Sequence, residues 1–391
     1  MGLFGSKVSV GLDIGGSAVR VAQLRRVGSA LELERFAQVP LFPEGDRPTD
    51  PDQVRAARIQ AVKNALAAAH VTAKTCVSSV SGESVIVRYL RLPEMPEAEL
   101  KKALQWEAEE YIPFRLDEVN IDSTILGKPE GEADRLDVLL VSAKKDMIND
   151  HLAIIRQAGL TPRIIDVDSF AYLNCYEANY GQGAPEECVA LLNIGADITG
   201  ISMYHRGVSR FSRDIPIGGE TMTAAVRSHL RCSYAEAEQL KIKEGADPPS
   251  ESKSETGTTG SFSGSLMDTI RGSVEQMTGG AISKEPAAAP SVGRALSGVV
   301  RDLVAEVRRS IEFFENQMRG LTVSRMVLGG GSAALKNLKE HFERDLSLPC
   351  EVMDPLRKVR PSGRNYNPAV LESTRQGLGV VVGLGLRGVA A

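Results

Sequence analysis

Residues 8–20 read VSVGLDIGGSAVR, and residues 189–201 read VALLNIGADITGI. Each is an apolar run that looks like strand, followed by one polar residue, an Ile-Gly step, small residues and a second strand-like run. The turn therefore occurs twice, about 180 residues apart, with Asp13 as the polar residue the first time and Asn193 the second. Strand-like runs at 8–12, 19–25 and 31–39 predict a three-stranded meander with the glycines in its first hairpin. CVALLNIG, ITGISMYHRG and VSRFSRDIPIG predict the same three strands again, with little residue identity outside the turn. Consecutive backbone amides in a turn make an anion-binding nest, so two such turns suit a clamp on a polyphosphate.

The length of 391 residues with 42% hydrophobic content exceeds what one core usually covers and implies two domains or one bilobed unit. A net charge of −4 from interspersed acids and bases offers no electrostatic footprint for nucleic acid. The five cysteines are scattered, with no C-x-x-C pair, and read as buried thiols of a reducing compartment. GLGVVVGLGL at 377–386 is too short to span a bilayer, and no signal-peptide core is visible at the start. The expected location is cytoplasmic.

After the first meander, apolar positions recur at helical spacing over 51–70. TCVSSV and SVIVRYLRL read as strands, MPEAELKKALQWEAEEY as a capped helix, LDVLLVSA as a strand and KKDMINDHLAIIRQAG as a helix ending at Gly159. Lobe 1 is thus expected over 1–188, with its core at 1–83 and 162–188, an inserted α/β unit at 84–161, and the C-terminal segment 370–391 returning to it. Lobe 2 is expected over 189–369. Within it, 245–291 is rich in Ser, Gly, Pro and Thr and reads as a mobile insertion, with one short helical pattern in SLMDTIRGSVEQM. Val307, Ile311, Phe314 and Met318 stripe a core helix, and SRMVLGGGSAALKNLKEHFERDL reads strand, glycine turn, helix.

VGLDIGGSAVRVAQL, ALLNIGADITGISMYHRG and VLGGGSAALKNLKEHF resemble, in order and separation, the phosphate-1, phosphate-2 and adenosine motifs of the actin, heat-shock chaperone and sugar-kinase superfamily. LRLPEMPEAELKKALQWEAEEYIPF, IIDVDSFAYLN, PIGGE, AEAEQLKIKEG and EVRRSIEFFENQ are similar to the PilM family of type IV pilus assembly proteins and to its relative FtsA. The resemblance implies a two-lobed, actin-like (duplicated RNase H-like) α/β fold with an extra subdomain, and ATP with Mg2+ as ligands. It implies that Asp13 faces the metal's water shell, that Gly15, Gly16 and Ser17 present amides to phosphate, and that Arg20 is the basic residue of that hairpin. Asn193, Gly195, Ala196, Asp197 and Thr199 would form the opposing turn. Gly329, Gly330, Gly331 and Ser332 would lie against ribose and base, and Asp168 would orient the attacking water. Each has a plainer reading: Asp13 caps a turn, Arg20 is an exposed strand residue, Asp168 N-caps a helix, and Asn193 bonds across an empty turn.

Asn193 departs from the superfamily pattern, in which many ATPases have a second metal-facing Asp. An amide supplies no negative charge to a hard cation, so binding with at most slow hydrolysis is expected. By the same resemblance the partners are the cytoplasmic N-terminal tail of PilN, the pilus assembly ATPases and the platform protein PilC. Membrane contact would be indirect, and a homo-oligomer is left open. A Rossmann dehydrogenase is suggested only by GGGSAA with Glu351 about 20 residues on, late in the chain and isolated. A small-molecule kinase needs a substrate pocket with a base, for which 84–161 offers no motif. An FtsA-like divisome protein needs an amphipathic membrane helix.

Overall fold

The computed structural model describes residues 7–249 and 291–390, except positions 44, 46, 130, 133, 185 and 319. Residues 250–290 of the insertion expected at 245–291, with its helical pattern, lie outside the described residues.

The first meander is β1 (Lys7–Ile14), β2 (Ala18–Val27) and β3 (Ala30–Pro40), antiparallel throughout. It is followed by α1 (Pro51–Ala68), whose start is fixed by Asp50 accepting from the Asp52 amide and by Pro51 in the first turn. β4 (Thr75–Val80) then pairs parallel with β1.

Next come β5 (Val85–Pro93), α2 (Glu97–Tyr111), β6 (Val119–Gly127) and β7 (Arg135–Lys144), which make a separate three-stranded sheet in the order β5-β7-β6. Leu100, Leu104 and Ala108 fall on one helical face of α2 and pack on Leu90, Val138 and Leu140. The cap expected for α2 is absent, since Pro96 stands at the N-cap and has no side-chain donor or acceptor.

The chain returns through α3 (Lys145–Gln157) and β8 (Thr161–Val167), which extends the first sheet beside β4, into α4 (Asp168–Tyr180). Ile154 and Ile155 of α3 pack in one cluster with Val10, Leu12 and Val62.

The second meander is β9 (Cys188–Ile194), β10 (Thr199–His205) and β11 (Val208–Ile215), followed by α5 (Gly219–Leu230) and α6 (Tyr234–Glu244). Ser233 and Glu236 close a reciprocal capping box at the start of α6. α7 (Val292–Gln317) carries the expected stripe: Val307, Ile311 and Phe314 are buried against the β9 and β10 side chains Leu192, Ile201 and Met203. Each such side chain contributes about 1.5–3 kcal/mol of burial.

β12 (Arg325–Gly329) adds parallel to β9, then α8 (Leu338–Leu346) leads to β13 (Cys350–Val352) on the far side of β12. The third glycine turn does not open a helix directly. Residues 332–337 are irregular, and α8 starts only after Asn337, which is left-handed at φ 65°.

β14 (Val359–Asn365) crosses to the edge of the first sheet beside β3, and α9 (Pro368–Ser373) precedes α10 (Gly379–Ala390). The apolar GLGVVVGLGL run is largely this last helix, which packs on β1, β2 and α4. Gly11 and Gly383 permit the approach, because a Cβ at either would collide with the carbonyl of Val381 or of Ala171. Among the described residues no helix is long and apolar enough to cross a membrane. Cys76, Cys175, Cys188 and Cys350 are buried as expected, whereas Cys232 is only half-buried.

Candidate functional site

Both repeated turns close in the same way. The Gly15 amide donates to the Ala18 carbonyl at 3.1 Å, and the Gly195 amide to the Ile198 carbonyl at 2.9 Å. The amides of Gly16, Ser17, Ala196 and Asp197 donate to no backbone acceptor among the described residues. The turns face one another, since a Cβ on Gly16 would meet the Asp197 carboxylate. The Arg47 guanidinium also reaches Asp197, at 3.0 Å.

The third turn is fastened to the second. The Ser332 amide donates to the Ile194 carbonyl at 3.1 Å, and the Gly330 amide to the Gln376 carbonyl at 2.8 Å. The start of α5 is tied to the same place, with the Gly219 and Glu220 amides donating to the carbonyls of Gly195 and Ala196 at 2.9 and 2.8 Å.

These elements enclose one cleft of about 720 Å3. Asp13, Gly15, Gly16, Ser17 and Arg20 line it from the first turn, and Asn193, Gly195, Ala196 and Asp197 from the second. Gly330, Gly331, Ser332 and Asp168 complete the set brought together. Two candidates are not in the lining. Thr199 is fully buried and its hydroxyl donates to the Ile217 carbonyl at 2.7 Å, while Gly329 pairs with Asn193 in the sheet and lies against the Tyr172 ring.

Asp13 and Arg20 stand directly opposite one another on β1 and β2, with Oδ2 and the guanidinium 3.1 Å apart. Arg20 also donates to Gln38 Oε1 at 2.7 Å, so it is not an exposed strand residue. Burial outweighs the guanidinium and pushes the Asp13 carboxyl up to about 6, with the nearby Asp168 charge adding to the rise.

Asp168 is the first residue of α4 and not its cap, a place held by Val167. Its two oxygens accept from Ser79 Oγ at 2.5 Å and Ser81 Oγ at 2.7 Å. Asn193 stands opposite Gly200, with no cation across from it.

Several lining residues were not singled out from the sequence. Asp214 on β11 accepts from the Gly82 amide at 2.7 Å, and burial raises its pKa. Lys241 is 6% exposed and bonds the Gly219 carbonyl and Thr223 Oγ1. His151 of α3 lies under the first turn. Ser78 Oγ donates to the Leu12 carbonyl at 2.7 Å, so it accepts from His151 Nε2 at 2.9 Å. Burial, with Arg58 nearby, pulls His151 down to about 4 and keeps it neutral. Only AEAEQLKIKEG, which holds Lys241, carried a sequence signal. The others come from segments far apart in the chain.

Unbonded amides from two turns suit an anion, and the carboxylates of Asp13, Asp168 and Asp214 suit a hard cation. Among the described residues no three such side chains converge closely enough to ligate a metal by themselves. Together the groups match a metal-bound polyphosphate in both signs of charge.

The family model described as type IV pilus assembly protein PilM matches residues 11–259, and that of cell division protein FtsA matches residues 190–372. The FtsA proteins of Helicobacter pylori and Bacillus subtilis are 25% identical over 265 residues and 31% identical over 106. These alignments cover 64% and 26% of this chain but only 48% and 22% of the relatives, so the chain spans less than half the length of the curated proteins it matches. A solved PilM-PilN type IV pilus biogenesis complex is 26% identical, with a TM-score of 0.75 over 97% of this chain and 98% of that one. The PilM match runs through both repeated turns and the inserted sheet, and the solved relative superimposes over nearly the whole length. The chain has the two-lobed actin-like α/β fold and belongs to the PilM family of type IV pilus assembly proteins.

Proposed function

We propose that this chain is a nucleotide-responsive scaffold of the type IV pilus assembly complex. It binds Mg-ATP between the two facing turns and captures the cytoplasmic N-terminal tail of PilN, linking it to the assembly ATPases and the platform protein PilC. The observation that carries the reading is the apposition of Gly16 and Asp197 with free amides on both sides, in a member of the PilM family. A solved relative in complex with PilN supports the partner. The protein would sit on the cytoplasmic face of the inner membrane through that partner.

In the site, Asp13 would face the magnesium through water, the amides of Gly16, Ser17, Ala196 and Asp197 would cradle phosphates while those of Gly15 and Gly195, expected there too, are spent closing their turns, and Gly330 to Ser332 would lie along the nucleoside. Magnesium would neutralise the phosphate charge. Asp168 would orient water, but both of its oxygens already accept from serines. With a neutral amide at Asn193, hydrolysis is slow and nucleotide acts by biasing closure of the lobes at 1–188 and 189–369.

The tail would dock in a groove beside the unit inserted at 84–161. Of the YIPF segment, Ile112 is buried and Phe114 packs in the unit's own core under Lys144, which leaves Tyr111 and Pro113 exposed for contact. That unit also touches the second meander: Tyr89 OH meets Ser209 Oγ at 2.6 Å, and Arg210 reaches Asp137 at 2.9 Å. Lobe closure would move this contact. Calorimetry of a PilN-tail peptide with and without Mg-ATP tests the reading, since a ligand shifts an equilibrium only by its differential affinity. Different affinities are expected. Equal affinities sink the switch, and no tail binding at all sinks the partner assignment.

A further inference from the structure

Arg58 on α1 lines the cleft, yet its Nε is buried with no hydrogen-bond partner. Two acids lie within electrostatic reach of it, Asp150 and Asp197. Both are already engaged by other arginines: Arg55 holds Asp150 at 3.0 Å and Arg47 holds Asp197 at 3.0 Å. Three guanidinium groups therefore share two carboxylates, and Arg58 is the one left over. Arg47 adds like-charge repulsion, and burial with that repulsion lowers the Arg58 pKa. His151 beside it is neutral and offers no counter-charge. A half-buried cation with a buried, unpartnered Nε is unfavourable until an anion reaches it.

The position of Arg58 narrows what that anion is. The third turn and the start of α5 bond the back of the second turn, at Ile194, Gly195 and Ala196. The tip of that turn, Asp197, faces Gly16 and the arginines. A nucleotide with its nucleoside along Gly330 to Ser332 and its phosphates between the turns thus extends its phosphate chain toward Arg58.

We infer that Arg58 receives the terminal phosphate of a bound nucleoside triphosphate and makes the site discriminate ATP from ADP. This rests on the nucleotide reading proposed above. A guanidinium presents paired donors that match a phosphate, and charge-assisted bonds of this kind are among the strong ones.

The test is calorimetry of ATP and ADP, each with magnesium, on the full chain and on Arg58→Met, which keeps the length of the stem without the charge. ATP affinity is expected to fall at least tenfold and ADP affinity to change less than threefold. The melting temperature of the nucleotide-free protein should stay level or rise, because an unpaired cation has been removed. Arg58→Lys keeps the charge without the fork and should lose an intermediate amount of ATP affinity, which preserves the test if the methionine variant folds poorly. An unchanged ratio of ATP to ADP affinity in a folded variant, or an equal loss of both, overturns the inference while leaving nucleotide binding intact. No binding of either nucleotide by the unsubstituted protein overturns the nucleotide reading and this inference with it.

Discussion

At residues 13–20 the strand before the glycines ends in a carboxylate that faces a guanidinium, whereas at 193–200 the same place holds an amide that faces a glycine. The third strands continue the contrast, with Gln38 opposite Arg20 and Asp214 opposite Gly200. Across the three strands one half reads Asp, Arg, Gln and the other Asn, Gly, Asp. The backbone hydrogen bond that closes each turn is nonetheless the same. Turn geometry and turn charge are therefore separate variables. A buried carboxylate needs a cation beside it, so the amide at 193 and the glycine at 200 belong together. The acid of the second half is displaced by two strands and tied to Gly82, at the entry to the inserted sheet.

The contrast breaks most severely at Asp13. Asp13→Ala leaves Arg20 with Gln38 alone, but because burial holds the Asp13 carboxyl up near 6 the ionised pair gives no net gain at pH 7, and stability there should change by less than about 1 kcal/mol. Magnesium-dependent ATP binding should fall more than 100-fold. Chemical denaturation and calorimetry in magnesium and in EDTA measure the two effects. Retained magnesium-dependent affinity would mean that the first turn is not the charged half of the site.

Acid titration in EDTA, read as the difference from single variants, follows Asp13 and the histidine behind it. The His151 pKa near 4 lies below its ordinary value of 6.5, so its contribution to stability is present above 6.5 and is lost as pH falls toward 4. Asp13, raised from 3.8 to about 6, works in the opposite direction: its contribution is present below 3.8 and is lost as pH rises through 6. Relative to the unsubstituted protein, His151→Gln should gain stability from pH 6.5 to 4, and Asp13→Asn should lose it from pH 6 to 4. Each effect is about 3 kcal/mol at most. Parallel pH curves for all three proteins would remove His151 and Asp13 from the acid response.

The smallest effect converts one turn toward the other. Asn193→Asp places a carboxylate opposite Gly200 with no cation and should lower stability by about 1–2 kcal/mol. It should leave ATP affinity within about tenfold, roughly 1.4 kcal/mol, while raising hydrolysis if Asp168 orients water. Adding Gly200→Arg restores the pair, and a double-mutant cycle should show coupling of about 1 kcal/mol. Strictly additive effects would show that the second turn cannot hold the arrangement of the first.

The duplicated meander was legible because strand alternation and the glycine punctuation are local, and the stripe of α7 was legible for the same reason. β6 and β8 were not. NIDSTIL is exposed at every position from Asn120 to Ile125, and TPRIIDV is half-exposed along most of its length, so neither shows a clean apolar run. The Ser79 and Ser81 bonds to Asp168 depend on β4 and β8 lying side by side, which no local pattern encodes. Asp214 was recoverable in principle: laying the second meander over the first aligns it with Gln38. Arg58 had no signal, because its significance is that its neighbours are already engaged.

The last helix has a consequence for how the molecule is made. β1 and β2 leave the ribosome long before residues 379–390, which cover the face of their sheet that carries Gly11 and Leu24. During synthesis that apolar face stays bare until those residues have emerged. The N-terminal half must therefore wait in an incomplete, chaperone-accessible state while the second meander, whose own cluster draws on residues 188–350, is completed before it.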